Sequence, residues 1–222
     1  MNAATHEEFK DRLFEQFARV GKALASPKRL EIVDLLAQGE RTVEEIARET
    51  TMSVASASQH LQALKAARMV AARREGLYIH YRLADEDVFR TWQAVRALAE
   101  SRLSEVDSVV EAYLVDRNAL EAVDARELME RLNDGSVVVL DVRPKAEYRA
   151  GHLPGALSVP VDTLEAALQT LPRDREIVAY CRGPYCVFSD EVVALLRSRG
   201  YRARRLRQGL PAWRAAGMPV EG

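Results

Sequence analysis

Residues 177–187 read Ile177-Val178-Ala179-Tyr180-Cys181-Arg182-Gly183-Pro184-Tyr185-Cys186-Val187, and they hold both cysteines of the 222-residue chain. The first four form an unbroken apolar run, the pattern of a short strand buried on both faces, and a helical pattern follows over residues 189–198. A loop from a strand end into a helix start points backbone N–H groups inward and favours an anion. A thiol held there ionises more readily than a free one, which makes it a nucleophile near neutrality. Two cysteines can equally be small buried hydrophobes in a turn. The surrounding sequence decides between the two.

Working outward, the residues on both sides of this stretch repeat its pattern. Asp124 opens a helix to about Asn133, and Val137-Val138-Val139-Leu140 is a second strand of the buried kind. Helices near 145–149 and 162–170, strands near 157–159 and 202–206, and a final segment at Gly209-Leu210-Pro211-Ala212-Trp213 complete the series. Strands alternating with helices predict an α/β domain with a parallel sheet flanked by helices. Ligands of such sheets sit at the carboxyl ends of the strands, where Cys181 falls. Asp141 and Arg143 close the first strand and read as loop-orienting groups. His152 reads as a hydrogen-bonded turn residue and Trp213 as core.

The first half has another grammar. Thr5 and Glu8 are spaced as a capping box before a helical period (Phe9, Leu13, Phe17, Val20, Leu24), and Ser26-Pro27 starts a second helix. Thr42 and Glu45 form another capping-box pair, opening a short helix to about Thr50. Ser53 then caps a helix over 54–67 anchored by Leu61 and Leu64. Residues 70–74, a turn at Glu75-Gly76 and the alternating residues 77–83 form a hairpin. Short helix, turn, polar helix and hairpin make a mainly-α winged helix-turn-helix, whose second helix enters a major groove while the hairpin reaches the backbone. Residues 84–116 carry Val88, Trp92, Val95, Leu98, Leu103, Val106, Val110 and Leu114 at mixed three-and-four spacing, which predicts one long amphipathic helix. The domain boundary is expected at 116/117, giving domains 1–116 and 117–222.

Composition narrows the reading. With 48% apolar and 29% charged residues the chain is globular, and no apolar run approaches the ~20 residues of a membrane span. Two cysteines make no disulfide framework and the N-terminus lacks a secretory pattern, so the expected location is cytoplasmic, without membrane contact. The net charge is −1. The first 116 residues hold 16 Lys and Arg against 19 Asp and Glu, so any nucleic-acid contact there must rest on local charge. Lys65, Arg68, Arg73 and Arg74 supply such a run.

The stretches ASPKRLEIVDLL (25–36), SVASASQHLQAL (53–64) and REGLYIHYRL (74–83) resemble the ArsR family of bacterial repressors over roughly residues 9–115. The resemblance implies a homodimer on palindromic double-stranded operator DNA, with Ser53, Ser56, Ser58, Gln59 and His60 facing the duplex. It places Lys65 and Arg68 near phosphate, Arg73, Arg74 and Tyr78 on the wing, and the long last helix at the dimer interface. Metal-sensing members place cysteines in the helix-turn-helix or histidines on the last helix, and this chain has neither. No metal ion or cofactor is expected, and the input signal enters elsewhere.

The second half is similar to a single-domain rhodanese, a sulfurtransferase, in LDVRPKAEYRAGHLPGALSVP (140–160), YCR (180–182) and GLPAWRAAGMPV (209–220). That implies Cys181 as the sulfur-accepting nucleophile, with Arg182 beside it and Gly183, Pro184, Tyr185 and Val187 completing the active-site loop. Rhodanese loops usually end on an arginine, and here the position is Cys186. Pro184 also removes one N–H donor from the cradle. Cys186 reads either as a resolving thiol for a persulfide on Cys181 or as a packing residue.

These observations lead first to a repressor whose rhodanese domain senses reactive sulfur through persulfidation of Cys181, with thiosulfate, polysulfide or a persulfide as the small donor. A sulfurtransferase enzyme tethered to a DNA-binding module is the alternative. A passive C-terminal binding domain, and soft-metal sensing by Cys181 and Cys186, stand behind these.

Overall fold

Thr42 caps the first helix of the helix-turn-helix as its spacing requires. Its Oγ1 accepts from the Glu45 N–H at 3.2 Å while Glu45 Oε2 accepts from the Thr42 N–H at 2.8 Å. The computed structural model describes residues 3–114 and 122–222, and the chain divides into two units, Met1–Val95 and Arg96–Gly222. The boundary expected at 116/117 lies outside the described residues.

The first unit runs α1 (Ala3–Leu24), α2 (Pro27–Ala37), β1 (Arg41–Thr42), α3 (Val43–Glu49), α4 (Val54–Ala66), β2 (Val70–Glu75) and β3 (Tyr78–Leu83), then enters α5 (Glu86–Arg102). Pro27 stands at the first turn of α2, as predicted. Thr5 does not cap α1, which already begins at Ala3. Thr5 and Glu8 lie within the helix, where Glu8 pairs with Arg12 at 2.6 Å instead. Ser53 caps α4 by accepting the Ser56 N–H at 3.2 Å. Ile32, Val33, Ile46, Leu61 and Leu64 form the centre of this unit and are fully buried. The wing is antiparallel in the order β1-β3-β2, and Gly76 (φ 60°) turns it. Its alternation holds at the base, where Tyr81 and Leu83 are buried, but Leu77 at the tip is 91% exposed.

The helix expected over 84–116 is two helices, α5 and α6 (Ser104–Tyr113), separated by Leu103 in extended conformation (φ −115°, ψ 102°). No glycine or proline marks the break. Ser101 Oγ donates to the Leu98 carbonyl at 3.0 Å in the last turn of α5. Arg102 then suits a helix end, while Glu105 and Asp107 suit a helix start. No residue of α6 is buried.

The second unit continues with β4 (Ala122–Val123), α7 (Ala125–Asn133), β5 (Val137–Asp141), α8 (Lys145–Ala150), β6 (Leu157–Ser158), α9 (Leu164–Ala167), β7 (Glu176–Tyr180), α10 (Val187–Ser198), β8 (Ala203–Leu206) and α11 (Leu210–Ala215). The sheet is parallel in the order β4-β8-β7-β5-β6, so β7 is its central strand. The helix expected over 162–170 is shorter, a 3₁₀ turn followed by the four residues of α9. Period-two alternation sorts the core. Val138, Leu140, Ile177, Ala179 and Cys181 pack on one face with α9 and α10. Val137, Val139, Val178 and Tyr180 pack on the other with Leu128, Leu210 and Trp213. Cys181 and Tyr180 therefore leave the end of the central strand on opposite faces.

Candidate functional site

Cys181 directly follows the central strand and is 3% exposed. It is joined to Cys186 in a disulfide whose Cα atoms are 6.2 Å apart. Cys186 occupies the N-cap of α10, its N–H donates to the Gly183 carbonyl at 3.2 Å, and its own carbonyl accepts from Ser189 Oγ at 3.1 Å. The turn thus brings the two sulfurs together between the end of β7 and the start of α10. Gly183 faces open space, and Tyr185 and Val187 lie partly exposed on either side of Cys186.

Two contacts that the sequence did not announce hold this loop. The first is Gly209, the N-cap of α11. A Cβ built there would overlap the Arg182 carbonyl and stand 2.6 Å from the Cys181 carbonyl oxygen, so the loop's first peptide lies directly on the glycine. The second is Glu147 on α8, fully buried, whose carboxylate accepts from Arg182 Nε at 3.0 and 3.2 Å and also from its terminal nitrogen. Arg182 was expected to stand beside the thiolate as its cation. Its guanidinium is instead engaged by Glu147, because a buried carboxylate is tolerated only against a paired charge.

Behind the strand end, on the opposite face, lies a closed ionic network. Asp141 Oδ1 accepts from Arg143 N and Nε, each at 3.0 Å, and Asp141 Oδ2 accepts from Arg143 and from Tyr180 Oη, each at 2.5 Å. Tyr180 Oη accepts from the Leu153 N–H at 3.1 Å, and Arg143 donates to the Gly151 carbonyl at 2.8 Å. Burial and the neighbouring Asp141 carboxylate push the Tyr180 hydroxyl well above its ordinary pKa, so it is a permanent donor. Burial alone would lower Arg143, but hydrogen bonds and the charge of Asp141 more than reverse that and keep the guanidinium charged. Asp141 and Arg143 are thus scaffold. His152 stacks on Tyr148 at 3.8 Å between ring centroids with its Nδ1 3.0 Å from the Tyr148 carbonyl, and Trp213 is core, donating to the Pro219 carbonyl at 2.7 Å.

In the first unit α4 and the residues flanking it present Ser53, Gln59, Lys65 and Arg68 exposed, with Ser56, Ser58 and His60 half-buried. Just past the end of α4, Arg68 lies in the left-handed region (φ 59°) and the Met69 N–H donates back to the Leu64 carbonyl at 3.0 Å. Arg73, Arg74 and Tyr78 are exposed on the wing. Arg73 is engaged by Glu40 at 2.8 and 3.0 Å and by Glu75, while Arg74 Nε donates to the Gly76 carbonyl at 3.2 Å. Among the described residues, no three His, Cys, Asp or Glu side chains gather as a metal site, and no helix is long and apolar enough to cross a membrane.

Two family models match the chain: the bacterial regulatory protein, arsR family, over residues 26–72, and the rhodanese-like domain over residues 124–216. The chain is 47% identical over 218 residues to the HTH-type transcriptional regulator Rv0324 of Mycobacterium tuberculosis, covering 98% of this chain and 96% of that one. It is 35% identical over 100 residues to a sulfurtransferase of Allochromatium vinosum, covering 44% of this chain and 92% of that one. Among solved structures, the homodimeric winged helix-turn-helix DNA-binding fragment from Mycobacterium bovis is 54% identical, with a TM-score of 0.40, over 42% of this chain and 87% of that one.

Proposed function

Since the chain belongs to the ArsR-family helix-turn-helix transcriptional regulators and carries a C-terminal rhodanese-like domain, we propose that it is a homodimeric repressor releasing its operator when Cys181 takes up sulfane sulfur. The observation that carries this reading is the bond between Cys181 and Cys186 in the loop at the carboxyl end of the central strand. In the reduced protein the Cys181 thiolate attacks the outer sulfur of a persulfide or polysulfide. A new sulfur–sulfur bond forms on Cys181, the donor's bond breaks, and the donor leaves as a thiolate with the electron pair. The Cys186 thiolate then attacks Cys181 Sγ, closing the disulfide and expelling hydrosulfide. The two thiols are oxidised by two electrons and the sulfane sulfur is reduced to sulfide. The bridged protein is the end state.

On the DNA side, Ser53, Ser56, Ser58, Gln59 and His60 of α4 meet the major groove, Lys65 and Arg68 meet phosphate, and Arg73, Arg74 and Tyr78 meet the backbone from the wing. Arg73 must leave Glu40 and Glu75 to do so. Glu40→Gln is therefore expected to raise operator affinity about threefold and to steepen its fall with salt by about one unit of log–log slope. Fluorescence anisotropy across a potassium chloride series reads both, and an unchanged slope removes Arg73 from the phosphate contacts.

The reading as a whole is tested by operator affinity at fixed salt, before and after polysulfide. The natural protein is expected to weaken about tenfold, within the usual range of allosteric coupling, and Cys181→Ser to be unmoved. Unchanged affinity in natural protein shown by mass to be bridged overturns it. A sulfurtransferase activity is the second reading, favoured by the similarity of the C-terminal half to the Allochromatium vinosum protein. It requires steady turnover of thiosulfate or persulfide to an acceptor, and stoichiometric modification without turnover excludes it.

A further inference from the structure

α5 is one helix of 17 residues, about 25 Å long, that begins in the first unit and ends in the second. Its early turns are fixed: Val88 and Phe89 are buried, and Trp92 Nε1 donates to Asp34 Oδ1 on α2 at 2.9 Å. Near its other end Glu100 Oε1 accepts from Tyr185 Oη at 2.7 Å, a hydrogen bond between residues 85 apart in sequence. Glu100 is also 3.5 Å from Arg96 Nε one turn earlier. Tyr185 immediately precedes Cys186. Val187, on the other side of that cysteine, lines an open apolar groove of about 460 Å³ together with Leu103, Val106, Val110 and Leu114. Both neighbours of Cys186 thus bear on the segment in which α5 ends and α6 begins.

We propose that Tyr185 and Glu100 relay the sulfur state of the cysteine loop to α5. The inference rests on the reading of Cys181 as the sulfur acceptor and names how that site is read out. When Cys186 is bonded to Cys181, the turn is closed covalently and the Tyr185 hydroxyl is held at the Glu100 carboxylate. When both thiols are free, residues 183–186 lose that tie and the hydroxyl leaves the carboxylate. The hydrogen bond is made in one sulfur state only, which is the differential interaction any conformational coupling requires. Because α5 is continuous, a change at Glu100 acts on the helix that carries Val88, Phe89 and Trp92. Arg182, next to the nucleophile, is held by buried Glu147.

The test uses the full-length protein with Glu100→Ala and, separately, Tyr185→Phe. Bridging is counted by mass and thiol titration, and operator affinity is measured reduced and after polysulfide. Glu100→Ala is expected to bridge fully and, when reduced, to bind the operator within about twofold of the natural protein, while the affinity ratio between the two states falls from about tenfold to below about threefold. Tyr185→Phe, once bridging is verified, is expected to lose the ratio to the same extent. A full ratio in either bridged variant overturns the relay and leaves sulfur sensing standing. A natural protein that bridges with no change in affinity overturns sensing itself, and the relay with it.

Discussion

Gly209→Ala is expected to lower the melting temperature by about 10 °C or more and to slow the reaction of reduced Cys181 with polysulfide at least about tenfold. The reason is space rather than backbone freedom. Gly209 has φ −92° and ψ 179°, a conformation open to every residue. A methyl group there would overlap the carbonyl of Arg182, and backbone cannot swing aside as the end of a flexible side chain can. Either α11 lifts out of the core with its buried Leu210 and Trp213, or the loop carrying Cys181 is displaced. Overpacking of this kind costs about 1–3 kcal/mol and occasionally more. Gly183 is the internal control: it lies in the loop itself, yet a Cβ there meets nothing within 4 Å. Gly183→Ala should melt within about 2 °C of the natural protein. Calorimetry and alkylation kinetics on reduced protein read the contrast, and equal behaviour of the two variants would sink the claim that Gly209 seats the loop.

Gly209 also marks the limit of what the sequence discloses. The unbroken apolar runs within Val137–Asp141 and Glu176–Tyr180 declare strands buried on both faces, the pattern of a parallel sheet covered by helices. The Thr42 and Glu45 pair declares a helix start for the same reason: its bonds close within four residues. Cys181 was placed correctly at a strand end, since that position depends only on the strand beside it. The contacts that shape the site join distant residues. Glu147 meets Arg182 across 35 positions and Tyr185 meets Glu100 across 85, and no local pattern distinguishes these carboxylates from their neighbours. The break at Leu103 was missed for a related reason. No residue there forbids a helix, and only the charges of Arg102, Glu105 and Asp107 mark the ends.

The Asp141–Arg143 pair carries the second large effect. Both side chains have no solvent exposure, so neither charge has water to fall back on. Asp141→Ala would remove the carboxylate that pairs with the buried Arg143 guanidinium, and would strip Tyr180 Oη of its acceptor. Arg143→Ala would leave a buried carboxylate with a backbone N–H and one hydroxyl but no opposite charge. Each is expected to cost about 3–5 kcal/mol, the usual penalty for uncompensating a buried charge. Removing both charges together, as Asp141→Leu with Arg143→Met, should cost no more than the worse single change, because neither partner is then stranded. Tyr180→Phe keeps the ion pair and loses only a hydroxyl, leaving the Leu153 N–H without its oxygen, and should cost about 1–3 kcal/mol. Urea unfolding followed in the C-terminal unit orders the four variants. If the double variant is as costly as the two singles added, the pair is not acting as a unit. If it is the milder, the network serves to hold the end of the central strand, and the cysteine that follows it, in a single position.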